Sequence, residues 1–198
     1  MAFPTPKRIT ELDLASPLTD ADQIAVVQGT RTKRATIAQV KTSTDTSCQC
    51  TLVSRYNTVG TDANTLEKFF QTYQLPADTL STDGSWLEIF AWGSTAANGN
   101  LKTLTARFGG STIYTNSVAL NNRKWDFTAK VIRTSSLGQI TFAFSSTFNS
   151  SSGQEAAPTE DMGNDIAVSI SGTNGTASAS DITCEGFIIR VNYMDANS

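Results

Sequence analysis

The sequence predicts an all-β protein: an antiparallel, jelly-roll-like β-sandwich preceded by a small N-terminal attachment unit. From about residue 55 onward, apolar and polar residues alternate over short runs that are separated by turn dipeptides. The 198-residue chain is 39% hydrophobic and 17% charged, a composition that suits short strands with polar outward faces. We therefore expect about eight strands, arranged as two packed antiparallel sheets.

Residues 1–45 form the predicted N-terminal unit. Residues 24–27 predict a strand, Gln28 and Gly29 a turn, and residues 30–35 a basic second strand. Residues 36–39 fit a capping box, which predicts the start of a short helix. So short a segment cannot enclose a stable core by itself, and we expect it to pack against a second copy of the chain or against a larger structure.

A polar, non-periodic run follows the N-terminal unit and predicts a domain boundary. We therefore assign residues 46–54 to a linker and residues 55–198 to a β-sandwich head domain. Within the head, alternation predicts strands over residues 102–108, 125–131, 140–144, 166–170 and 187–193. Residues 66–75 and 86–92 do not alternate cleanly; we interpret both as strands, although residues 66–75 also fit a short helix.

The predicted core of the head is the apolar set of these strands. The run 86–92 is apolar on both faces apart from Glu88, so we expect a strand that is covered on both sides. Trp86 and Trp92 could stack on sugars, but their place in this run favours core packing. The predicted core residues are Trp86, Leu87, Ile89, Phe90, Leu104, Phe108, Trp125, Phe127, Val131, Phe142, Phe144, Ile166, Val168, Ile189 and Val191.

Turn dipeptides separate the strands, and Gly109-Gly110 predicts the clearest hairpin. The longer connection over residues 149–165 is polar and acidic. Long connections in compact domains are often functional or flexible, so this segment is either a solvated loop or an exposed interaction loop. Its candidate interaction residues are Glu155, Glu160, Asp161 and Asp165.

Several classes of chemistry are disfavoured by composition. The chain has no histidine, which excludes Ser-His-Asp, Cys-His and His-metal arrangements, and we expect no cofactor, no metal and no enzymatic activity. Its three cysteines are too few and too oddly spaced for a secreted disulfide framework. The net charge of −3 does not favour nucleic-acid binding. We also expect no signal peptide and no membrane insertion, because no apolar run is long enough.

Two motifs resemble modules of tailed-bacteriophage virion proteins. VVQGTRTKRAT, at residues 26–36, resembles the N-terminal segments of phage fibre and capsid-decoration proteins. LPADTL, at residues 75–80, and IFAWGSTAANGNLKT, at residues 89–103, resemble β-sandwich heads of such proteins, which are usually trimers. The resemblance covers most of the chain in the same order, but its motifs are not catalytic signatures.

This resemblance implies a structural component of a bacteriophage virion that is made in the host cytoplasm. The first alternative is a short homotrimeric tail or baseplate fibre that contacts a host surface receptor. The second is a capsid decoration (cement) protein bound to the major capsid protein. Virion attachment would fall on Ile24, Val26, Val27, Gln28, Gly29, Arg31, Lys33 and Arg34. The basic residues among these either form a solvated strand face or dock on an acidic patch of a virion partner.

Overall fold

The structure, a computed structural model, describes residues 23–28, 31–36, 49–148 and 153–193. The chain divides into two compact units, Met1–Asp45 and Thr46–Ser198. All regular secondary structure in the described residues is β-strand, which confirms the predicted all-β class. No helix in this part of the chain could therefore cross a membrane.

The N-terminal unit contains an antiparallel pair of strands, β1 (Gln23–Gln28) and β2 (Arg31–Thr36). The register places Val26 opposite Lys33 and Gln28 opposite Arg31. Both predicted strands are therefore present. Thr36 ends β2, whereas the rest of the expected helix start, residues 37–39, lies outside the described residues.

The second unit is a sandwich of two antiparallel sheets, as predicted. Its strands are β3 (Gln49–Arg55), β4 (Val59–Gly60), β5 (Lys68–Leu75), β6 (Trp86–Thr95), β7 (Leu101–Phe108), β8 (Ser111–Ala119), β9 (Lys124–Ser135), β10 (Gly138–Phe144), β11 (Gln154–Ala156), β12 (Ile166–Asn174) and β13 (Ile182–Asn192). One sheet has the order β11-β10-β9-β6-β13-β3, with β4 also paired to β13, and the other has the order β5-β12-β7-β8.

The predicted linker is wrong over residues 49–54. These residues form most of β3, an edge strand that pairs antiparallel with β13. Cys50, Leu52 and Val53 pack against the core, while the remaining residues of the strand are mostly exposed. The segment looks like a linker in sequence because an edge strand keeps much of its surface in water and needs few apolar residues.

The core lies between the two sheets and contains most of the residues predicted for it. Phe108 and Phe127 are among the largest fully buried side chains. The correctly predicted core residues are Leu87, Ile89, Leu104, Phe108, Trp125, Phe127, Val131, Ile166, Val168, Ile189 and Val191. Trp86, Phe90, Phe142 and Phe144 were wrongly predicted, since none of them is buried.

Strand β10 presents to the core the face opposite to the predicted one. Phe142 and Phe144 are each 46% exposed, whereas Thr141 and Ala143 are buried. The inner side of β10 lies against β8 of the other sheet, which supplies large buried side chains of its own. Small inward residues on β10 match those large ones, because the space between packed sheets is limited to about 10 Å.

Strand β6 likewise turns its aromatic side chains outward. Its burial alternates strictly, with Leu87, Ile89 and Ala91 buried and the residues between them half-buried. Trp86 and Trp92 therefore do not pack in the core, contrary to the prediction, and the strand is covered fully on one side only. The aliphatic set fills the core, and the aromatic set lies on the outer surface of the seven-stranded sheet.

The predicted hairpin at Gly109-Gly110 is confirmed between β7 and β8. Gly109 has φ +59°, a conformation that favours glycine. The Glu160 carboxylate accepts a hydrogen bond from the Gly110 backbone N–H at 2.8 Å. A Cβ atom at Gly109 would lie 2.1 Å from the Glu160 Cδ, so the glycine also makes room for this acidic cap.

Candidate binding face

The outer surface of the seven-stranded sheet carries a group of half-buried or exposed aromatic side chains. We call this surface the aromatic face, and its members are Tyr56, Trp86, Phe90, Trp92, Phe142 and Phe144. The strand register orders them across the sheet: Phe90 on β6 pairs with Thr128 on β9, which pairs with Phe144 on β10. The face therefore extends across the middle of the sheet instead of following one strand.

Trp92 is held along the surface of the sheet by a glycine on the neighbouring strand. It pairs with Gly186 of β13, where the register of the two strands shifts. A Cβ atom at Gly186 would lie 2.0 Å from Cζ2 of the Trp92 indole, so the ring occupies the space of the missing side chain. The Trp92 ring centroid is 5.5 Å from that of Tyr56 and 5.3 Å from that of Phe90.

Charged side chains cross the aromatic face in one row of paired residues. The register runs from Glu155 through Phe142, Lys130 and Glu88 to Arg190. Arg190 Nη1 lies 3.6 Å from Glu88 Oε2, and the Lys130 ammonium lies 4.6 Å from the centroid of the Trp86 ring. Both cations of the row therefore have a close neighbour: Arg190 lies beside Glu88, and Lys130 lies over the Trp86 ring.

Two grooves lie on this face and share Thr128. The first, of about 540 Å³, is lined by Tyr56, Glu88, Phe90, Trp92, Thr128, Ile188 and Arg190. The second, of about 480 Å³, is lined by Thr128, Lys130, Phe142, Ala143, Phe144, Gly153, Gln154 and Glu155. Both volumes fall within the range of small-molecule sites, and both linings combine apolar surface with a few polar groups.

The predicted attachment residues lie on the N-terminal hairpin, apart from Gly29, which is outside the described residues. Ile24, Val26, Val27 and Gln28 lie on β1, whereas Arg31, Lys33 and Arg34 lie on β2. The pairing of the two strands brings the apolar and the basic residues into one two-stranded sheet. Their role in attachment stays a prediction.

The predicted acidic loop contains a strand, β11, and two of its four candidate acidic residues bind to other parts of the head. Besides the cap formed by Glu160, Asp165 Oδ1 accepts a hydrogen bond from the Ala77 backbone N–H at 2.9 Å. Asp161 binds within the loop, where its Oδ1 accepts a hydrogen bond from the Gly163 backbone N–H at 2.9 Å. Glu155 differs, since it is exposed on β11 and lines the second groove. It is the one member of the predicted set that the structure brings to the aromatic face.

Sequence reasoning missed the role of Tyr56, Gly186 and Arg190 and misplaced the aromatic residues of β6. One signal for the latter is present in the sequence. On β6 the aromatic residues share one parity with Glu88, whereas Leu87, Ile89 and Ala91 share the other. A charge on the aromatic parity marks that parity as the outer one, because an unpaired charge in the core is costly.

A buried polar cluster explains much of the NGNLK motif, residues 98–102. Lys102 is fully buried, and its ammonium donates to the Leu120 carbonyl at 2.8 Å, the Asn98 side-chain oxygen at 2.8 Å and the Asn100 carbonyl at 3.1 Å. Asp181, also fully buried, lies 3.8 Å from this ammonium. It accepts hydrogen bonds from the side-chain amides of Asn98 and Asn100 at 2.5 and 3.1 Å. Burial lowers the pKa of Lys102, and the Asp181 carboxylate opposes that shift.

Two further glutamates of the head, Glu67 and Glu185, are held in ion pairs. Glu67 accepts hydrogen bonds from the Arg107 guanidinium and from the Ser171 hydroxyl, and the bond from Arg107 is the main reason why its pKa is lowered. Glu185 binds the Lys124 ammonium at 2.8 Å and the Ser94 hydroxyl at 2.7 Å, which lower its pKa in the same way. These contacts connect strands and so serve the fold.

The Glu67 pair predicts an acid-sensitive contribution to stability. Because the pKa of folded Glu67 lies below its ordinary value of 4.5, the contribution is present above that value and is lost as the pH falls through the folded pKa. We expect the stability difference between the wild type and Glu67→Gln to shrink between about pH 6 and about pH 3. Urea unfolding at several pH values measures this difference in the free energy of unfolding. Glu155→Gln is the control variant. If the difference between the wild type and Glu67→Gln stays constant across this pH range, the prediction is contradicted.

Two other kinds of candidate site are a reactive cysteine thiol and a cluster of metal-binding side chains. Burial raises the pKa of the Cys184 thiol to about 12, so it stays protonated near neutral pH. Within residues 49–148 and 153–193, the His, Cys, Asp and Glu side chains form no cluster of three that could hold a metal ion.

Comparison with known proteins finds similar solved structures but no similar sequence family. No family model matches the chain, and no curated protein matches it. The CBM2 module of the evolved Dit protein of Lactobacillus casei BL23 phage J-1 is 6% identical over 63% of this chain and 69% of that one, with a TM-score of 0.36. A chain of infectious bursal disease virus, Gx strain, is 13% identical over 90% of this chain and 38% of that one, with a TM-score of 0.35.

A third similar structure has no assigned function. It is a protein from Shewanella oneidensis MR-1 that is 11% identical over 97% of both chains, with a TM-score of 0.32. At such identities and scores, these likenesses carry no argument about what the present chain does.

Proposed function

We propose that this protein is a structural component of a bacteriophage virion, a short homotrimeric tail or baseplate fibre. Residues 1–45 anchor the chain to a virion protein, and the sandwich contacts the host surface. The observation that carries the proposal is the combination, in one chain, of the VVQGTRTKRAT hairpin and a separate antiparallel sandwich with phage-like motifs. The proposal is one of binding, without catalysis.

The sandwich supports a role in contact because one of its surfaces is suited to a partner. Large apolar residues are normally sparse on the surface of a monomer, and a contiguous patch marks an interaction site. Here Ile140, Phe142 and Phe144 are each more than 40% exposed on β10, and β9 lies between this strand and the aromatic residues of β6. Several copies of such a surface on one particle bind well even where each site is weak.

Trimerisation and attachment are expected to depend on residues 1–45. The apolar residues of this segment are too few to form a core within one chain, and a closed cyclic oligomer would bury them. We expect the full-length protein to sediment as a trimer, and a monomer at micromolar concentration would contradict this. Deleting residues 1–45 should abolish incorporation into particles, as measured by immunoblotting of purified virions, while the circular dichroism spectrum of the sandwich is retained.

The capsid-decoration alternative shares the same motifs and the same trimeric state. Immunogold electron microscopy of intact particles separates the two functions by location. Label at the tail or baseplate supports the fibre, whereas label over the whole head supports decoration. Absence of the chain from purified particles would exclude both.

A further inference from the structure

We propose that the aromatic face is a binding site for a neutral glycan chain. The glycan lies along the first groove on Tyr56, Trp92 and Phe90 and continues across Thr128 toward Phe142 and Phe144. The glycan would be the part of the host surface that the sandwich contacts. Only this biological role of the site rests on the proposed function.

Trp92 lies flat enough on the sheet to offer its ring to a sugar. Gly186 leaves the indole lying along the sheet, across from β6 onto β13, instead of pointing away from it. In this position the Trp92 ring contacts both Tyr56 and Phe90, so the three rings form one aromatic cluster on the surface of the sheet. The C–H groups on the flat face of a sugar ring are weakly positive and pack against the negative face of an aromatic ring.

The charges of the two grooves indicate that the ligand is neutral. The linings contain two acids, Glu88 and Glu155, and two bases, Lys130 and Arg190. Arg190 pairs with Glu88, and Lys130 lies over Trp86, so no excess of either sign faces the ligand. The same groups, together with the Thr128 hydroxyl, can exchange hydrogen bonds with sugar hydroxyls. An anionic nucleic acid would need a basic surface, which this face lacks.

The same composition favours a glycan over a second copy of the chain. The centre of a protein–protein interface is depleted of charged residues, whereas a row of four charged residues crosses the middle of this face. The shape agrees with this choice. The two grooves share Thr128 in their linings, and Phe144 lies two strands, or about 10 Å, from Phe90, so an extended chain fits better than a single sugar.

The test uses the purified full-length protein on a glycan microarray that carries neutral hexose oligosaccharides and acidic glycans. We expect binding to neutral glycans. Trp92→Ala and Tyr56→Ala should each weaken binding about tenfold, as expected for the loss of a stacking contact. Phe69→Ala is the matched control, because Phe69 is also a half-exposed aromatic residue but lies on the four-stranded sheet. It should bind as the wild type does.

Tyr56→Ala keeps the test decisive if Trp92→Ala fails to fold, because Tyr56 is 72% exposed. Binding to no glycan, binding to acidic glycans alone, or equal binding by both variants and the wild type would each overturn the inference. A change in the sedimentation of Tyr56→Ala relative to the wild type, measured without glycan, would also overturn the inference, because it would show that the aromatic face is a contact between subunits.

Failure of this inference is separable from failure of the proposed function. Incorporation into particles without glycan binding would overturn the glycan site and leave the virion role in place. Glycan binding without incorporation would support the site and overturn the virion role.

Discussion

Replacing the buried Lys102 with Met is expected to lower the free energy of unfolding by about 3–5 kcal/mol, the usual cost of removing one partner of a buried ion pair. The Met side chain fills similar space but leaves the Leu120 and Asn100 carbonyls without their donor. It also leaves Asp181 as a fully buried carboxylate without its nearest cation. Urea unfolding followed by tryptophan fluorescence measures the loss.

The control for this prediction is the exposed pair formed by Lys68 and Asp62. Their side chains are 40% and 57% exposed, with an N–O distance of 3.1 Å. An exposed pair contributes about 0–1 kcal/mol, so Lys68→Met should change stability little. A loss below about 1 kcal/mol for Lys102→Met would mean that the cluster is not desolvated as the structure shows.

The second large effect is expected at Phe127, in the centre of the core. Phe127 is fully buried on β9, and its ring centroid lies 5.3 Å from that of Tyr114 on the opposite sheet. Phe127→Ala removes a ring that connects the two sheets and leaves a cavity, at a cost of about 3–5 kcal/mol. Thermal and urea unfolding of the variant measure this cost.

Phe142→Ala is the matched comparison, because it removes the same ring from the strand next to β9. Phe142 is 46% exposed, so its truncation should cost less than about 1 kcal/mol. Equal losses of stability for Phe127→Ala and Phe142→Ala would show that the Phe142 ring points into the core. Because Phe142 also lines the second groove, the proposed site predicts weaker glycan binding by this stable variant.

The strands and turns of the head were predictable because their signals are local. Alternation over residues 102–108 and 125–131 identified β7 and β9, and Gly109-Gly110 identified the hairpin that follows β7. The edge strand β3 was missed for a related reason. Its backbone is held by pairing with a distant partner, β13, so its own residues need little apolar character.

The candidate site was less predictable, although every residue of the aromatic face is visible in the sequence. Tyr56 and Trp92 lie far apart in the chain and meet only through the sheet. Gly186 has meaning only as the partner of Trp92, and that pairing is set by the register of β6 against β13. Contacts of this kind depend on which strands are neighbours, and no local pattern carries that information.

The sequence alone determined the fold class, the strands with strong alternation, the turns and the absence of histidine chemistry. These follow from period-two patterning and turn preferences, which act within a few residues. The tertiary structure alone decided which parity of β10 faces the core and that Lys102 is buried. Those outcomes depend on what lies across the sheet: alternation separates a strand into two faces, and only the volume and polarity of the opposing layer select the one that is buried.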